Sequence, residues 1–151
     1  MLLSMFAILF LVATAVLIHF EALNFLTNAI PKINASPRLS ILAGIVGCFC
    51  AHLLEVTIFA GGFYFFIHQG TLGGLLGGDI HGHGLFGTPS TEFLDCLYFS
   101  LTCYTSLGFG DLAPTGWLRF LAGTEALIGL LLIAWTASFM YLEMQKHWKV
   151  K

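Results

Sequence analysis

Residues 105–111 read Thr-Ser-Leu-Gly-Phe-Gly-Asp, a run whose chemistry would lie in its main chain more than in its side chains. Gly108 and Gly110 accept positive φ without a Cβ penalty, so an extended backbone here can turn successive carbonyls to one side. Rings of such oxygens, contributed by several chains, can replace the water that a cation loses on entering a pore. Ser106 can add a hydroxyl ligand at the inner end. Asp111 would form an acidic ring at the outer mouth and concentrate cations there. The competing reading is a glycine-rich turn between two membrane helices.

Such a stretch needs a frame to hold it. A short apolar helix is predicted over residues 89–104, its negative C-terminal dipole aimed at a cation in the cavity below. Thr88 and Pro89 supply its N-cap and first position, with Glu92 in the first turn. An outer helix over 39–67 and an inner helix over 116–147 flank it, about 43 and 48 Å long at 1.5 Å per residue. That length crosses a bilayer with tilt to spare. Thr115 is expected to cap the inner helix. Across the 151 residues, 58% are hydrophobic and 9% charged, where soluble chains carry about 25% charged residues. With a mean hydropathy of +0.89, a multi-spanning membrane protein is implied. The net charge of −2 and the lack of a basic run give no ground for a nucleic-acid partner.

The stretch Tyr98 to Pro114 resembles the pore helix and selectivity filter of the potassium-channel superfamily, usually written T-x-V-G-Y-G-D. The likeness extends from Leu39 to about Met144, as in small prokaryotic-type two-helix pore modules. It implies an all-α membrane protein built as helix, re-entrant pore helix with filter, and helix, assembled as a homotetramer in a lipid bilayer. It also implies passive K+ conduction over Thr105, Ser106, Leu107, Gly108, Phe109 and Gly110. K+ would be the permeant ion, with no organic cofactor and no enzymatic activity. Three positions depart from the pattern: Ser106 replaces Thr, Leu107 replaces Val or Ile, and Phe109 replaces Tyr. They make a weakly selective monovalent cation channel the alternative. Tyr98 and Phe99 hold the positions that surround the filter in relatives and are expected to pack against Phe109. Thr102 stands where some relatives carry an acidic brace, so bracing falls to a hydroxyl or to Glu125 of the inner helix. Gly129 matches a hinge glycine of many relatives; hinge and close packing are both open. A non-conducting accessory subunit is a further reading. So is a membrane metalloenzyme using His52, Glu55, His81 and His83, disfavoured because no H-E-x-x-H spacing occurs.

The rest of the chain reads around this module. Residues 1–30 hold an apolar run from Leu2 to Ile18 that continues toward Asn28. A peripheral membrane helix ending before Pro31 is expected, in preference to a signal peptide, which would need a basic n-region. His19 and Glu21 read as the polar end of that helix near the headgroups. The linker 31–38 carries Lys32 and Arg38, and Ser36-Pro37 starts the next helix. The positive-inside rule puts this linker and the tail 148–151, with Lys146, Lys149 and Lys151 nearby, in the cytoplasm of a plasma-membrane protein. The N-terminus is then extracytoplasmic. His52 and Glu55 share a helix face and form either a proton-sensitive latch or, preferred, a neutralised structural pair. The loop 68–88 carries eight glycines between Gly70 and Gly87 and is predicted to lack helix and strand. Its Asp79, His81 and His83 could ring the entrance of an assembly as a transition-metal site, although an exposed polar loop is preferred. Cys48, Cys50, Cys96 and Cys103 read as buried free thiols, with interchain bonding left open.

Overall fold

The computed structural model describes residues 2–32, 36–70, 72–77 and 92–147. Helix α1 (Leu2–Ala29) runs into a 3-10 turn (Ile30–Lys32), and α2 (Pro37–Gln69) follows. Then come β1 (Leu75–Gly77), α3 (Phe93–Tyr104), β2 (Leu112–Pro114) and α4 (Leu118–His147). Three segments, Met5–Lys32, Pro37–Gln69 and Leu118–Lys146, are long and apolar enough to span a membrane. In hydrocarbon a spanning segment must satisfy its own backbone polar groups, and an uninterrupted apolar run does so as a helix. The architecture is that of an all-α membrane protein.

Small residues set how the spans meet. Leu11 lies over Gly62, Leu26 over Gly47 and Ile30 over Gly44, so α1 runs antiparallel along α2. A Cβ on Gly47 would sit 2.4 Å from a Leu26 methyl, and one on Gly62 would sit 2.7 Å from a Leu11 methyl. Met5 and Ile8 lie beside Trp117 and Phe120, and Thr27 lies beside Phe139 and Glu143. Helices α1 and α4 therefore point the same way. Helix α1 packs on the other helices through one face: Ala15, His19, Leu23 and Leu26 are all buried.

The glycine-rich connection departs from expectation as well. Leu75–Gly77 forms a strand, paired antiparallel with Leu112–Pro114 in the register Leu75↔Pro114 and Gly77↔Leu112. Gly77, at φ 133°, lets the strands close; a Cβ there would meet the Asp111 carbonyl oxygen at 1.9 Å. Thr115 does not cap α4. Its hydroxyl accepts the Gly74 N–H at 2.9 Å, and its own N–H donates to the Gly74 carbonyl. The Leu72 carbonyl takes the helix-end N–H groups of Trp117 (2.7 Å) and Leu118 (3.2 Å) instead. The stretch before α3 is thus bound to the stretch after it, and the segment between is held at both ends. The core beneath includes Phe59, Phe63 and Phe66 of α2, Cys96 and Phe99 of α3, and Leu118 and Leu121 of α4.

Candidate functional site

Helix α3 begins at Phe93, with Glu92 in extended conformation as its N-cap. Glu92 therefore precedes the first turn it was expected to occupy; Thr88 and Pro89 lie outside the described residues. After twelve residues the helix ends at Tyr104. The Thr102 carbonyl then accepts two N–H groups, from Leu107 at 2.9 Å and from Gly108 at 3.2 Å, while the Cys103 carbonyl accepts that of Ser106 at 2.9 Å. Ser106, Gly108 and Gly110 take φ of 55°, 53° and 83°, whereas Leu107 and Phe109 between them do not. Alternation of left-handed and ordinary residues can turn consecutive carbonyls the same way. The glycines meet this demand at no steric cost. Ser106, which does so without being glycine, was not foreseen from the sequence. Residues 105–111 are all exposed in the single chain, Phe109 by 66%.

The residues around this stretch are distributed differently from the sequence expectation. The Tyr98 hydroxyl donates to Asp111 Oδ2 at 2.7 Å, and this bond holds the phenol above its ordinary range. Phe99 packs edge-on against Phe63 with ring centroids 5.1 Å apart. Within one chain, Asp111 and Phe63 are partners of these two rings. The Thr102 hydroxyl donates to the Phe99 carbonyl of its own helix at 2.8 Å; only its carbonyl reaches the 105–111 stretch. Glu125, fully buried on α4, lies 2.5 Å from the Ser100 hydroxyl on the back of α3. That hydroxyl is also 2.8 Å from the Val56 carbonyl. One hydroxyl hydrogen cannot serve both acceptors, so the set is complete when Glu125 carries a proton and donates to Ser100. Gly129 sits where a Cβ would lie 2.2 Å from the Tyr104 carbonyl oxygen. It is the contact at which α4 touches the end of α3.

His52 and Glu55 do meet, Nδ1 to Oε2 at 3.1 Å, but as part of a larger group. His19 Nδ1 lies 2.8 Å from Glu55 Oε1. The Tyr104 hydroxyl bonds Glu55 Oε2 and lies 2.8 Å from His52 Nδ1. Thr136 Oγ1 stands 3.0 Å from His52 Nε2 and 3.3 Å from His19 Nε2. All four helices contribute. His19 is therefore no headgroup-level helix end but a wholly buried residue in mid-span, while Glu21 is exposed. The available signal was the stripe Ala15, His19, Leu23 and Leu26, at the helical spacing of one face. Tyr104 and Thr136 carried no comparable signal.

Cys48 and Cys96 are buried and Cys103 is half-buried, as free thiols; Cys50 is exposed, against expectation. Lys146 pairs with Glu143 one turn back. Asp79, His81 and His83 lie outside the described residues, as does the tail 148–151. A family model described as "Ion channel" matches residues 51–146, from the middle of α2 through the end of α4. No curated protein and no solved structure matches the chain.

Proposed function

The chain belongs to the ion-channel family whose model spans residues 51–146, and from that premise we propose that it conducts K+ passively through the main-chain oxygens of residues 105–110. The observation that carries this reading is the φ alternation at Ser106, Gly108 and Gly110. The Thr102 carbonyl anchors the stretch from within, and Tyr98 bonded to Asp111 supports it at the far end. A single chain offers one strand of oxygens. A shell able to replace an ion's water needs several strands around an axis, so the functional unit is a homotetramer. The exposure of Leu107 and Phe109 in the isolated chain fits a surface that neighbouring copies would cover. Re-entrant, non-helical backbone at membrane depth is tolerated where protein buries it or water reaches it. With Lys32, Arg38 and Lys146 on one side, the C-terminus faces the cytoplasm and the N-terminus the opposite side.

A weakly selective cation pore is the second reading. It is favoured by one observation: Phe109 has no hydroxyl, and that of Tyr98 is engaged by Asp111. The filter wall then rests on apolar packing alone at Phe109. Purified protein in liposomes loaded with K+ is expected to release it when a proton ionophore relieves the opposing voltage. Gly110→Ala should suppress that release while leaving oligomer size unchanged. Equal release by both proteins would overturn conduction through this stretch.

A further inference from the structure

The group of His19, His52, Glu55 and Tyr104 exceeds what joining four helices requires. One ligand-type atom each from His19, His52 and Glu55 lies within 4.8 Å of the others. The individual separations are tighter: 2.8 Å from His19 Nδ1 to Glu55 Oε1, 3.1 Å from His52 Nδ1 to Glu55 Oε2, and 2.8 Å from His52 Nδ1 to the Tyr104 oxygen. A tetrahedral ion with bonds of about 2.0–2.1 Å has ligand–ligand edges of about 3.3 Å. Small outward shifts of these side chains would open that shape.

Thr136 would support such an ion. Both imidazole Nε2 atoms face its Oγ1, at 3.0 Å from His52 and 3.3 Å from His19. With a metal ion on the two Nδ1 atoms, both Nε2 atoms carry hydrogen. The Thr136 oxygen then accepts from both through its two lone pairs and fixes both rings, the support that metal-bound histidines ordinarily have. His19 and Glu55 are fully buried, while the His52 side chain is 18% exposed.

We propose that His19, His52 and Glu55, with the Tyr104 oxygen as fourth ligand, form a binding site for a divalent transition metal of the zinc class. The site joins α1 to the three helical elements of the pore module, one residue before Thr105. It is distinct from the Asp79, His81 and His83 loop and does not depend on the conduction reading.

The test uses full-length protein carrying no polyhistidine tag, stripped with chelator in detergent and titrated with zinc chloride. One zinc per chain is expected, together with a rise in thermal midpoint. Co2+ in its place should give the intense visible absorption of a four-coordinate ion. His19→Ala should abolish stoichiometric uptake, and Thr136→Val, which leaves every ligand in place, should weaken it about 10–100-fold. The double variant His81→Ala/His83→Ala should bind as wild type does. Wild-type protein that takes up no stoichiometric zinc would overturn the site, as would a six-coordinate Co2+ spectrum. So would Thr136→Val binding unchanged, a readout that holds even if His19→Ala fails to fold.

Discussion

At Gly110 the backbone holds φ 83° and at Gly108 φ 53°, with nothing within 4 Å of where a Cβ would stand on either. An alanine would therefore meet no neighbour within the chain and would act through backbone strain, about 1–2 kcal/mol for a left-handed L-residue. Ser106 already carries such a cost at φ 55°. The Cys103 and Thr102 carbonyls that bind this turn are what hold it there. Gly108→Ala is expected to lower K+ flux at least tenfold with the far-ultraviolet spectrum unchanged; undiminished flux would contradict the role given to that φ. Glu125 makes a second residue-level case. Glu125→Gln keeps a donor for Ser100 and should leave the thermal midpoint near that of wild type. Glu125→Ala removes it from a buried site, at about 1–3 kcal/mol for the polar group left unmade. Thermal unfolding in detergent would compare the two, and equal losses would contradict a proton on Glu125. The glycines were legible because their residue type states the dihedral it permits. Ser106 and His19 were not. The first owes its φ to carbonyls around it, and the second owes its burial to a partner 36 positions away in sequence.

Among the elements, α1 was readable as a span from its apolar run, yet where it docks depends on α2. Gly47 and Gly62 admit Leu26 and Leu11, whereas Gly61, one residue along, has nothing within 4 Å. Gly47→Val should push α1 away and lower stability by about 1–3 kcal/mol, the usual cost of overpacking. Gly61→Val should cost less than half as much. A thermal-midpoint comparison would check this, and equal losses would show that the close approach at Gly47 contributes little. The short strand β1 was illegible for a different reason. Leu75–Gly77 sits among glycines with little strand propensity and pairs because Leu112–Pro114 presents a ladder to it. The end of α4 likewise takes its cap from the Leu72 carbonyl, not from the Thr115 beside it. Local sequence cannot show a partner supplied by a distant segment.

As a whole molecule, the chain leaves Leu101, Leu107, Phe109, Leu127, Leu130, Leu131 and Trp135 exposed. Lipid can cover some of these, but 105–111 carries backbone that hydrocarbon cannot satisfy. The proposed homotetramer places that backbone on a shared axis. Mass measurement of the protein released from detergent micelles is expected to give four chains; a monomer would remove the ring of oxygens on which conduction rests. The most direct measurement is the reversal potential of wild-type protein in planar bilayers with K+ on one side and Na+ on the other. Conduction through the oxygens of 105–110 with K+ preferred predicts a reversal displaced from zero toward the K+ equilibrium potential. Gly110→Ala should carry little current or bring the reversal near zero. Wild-type current reversing at zero under that gradient would contradict K+ selection, and wild-type bilayers that never conduct would contradict the pore itself.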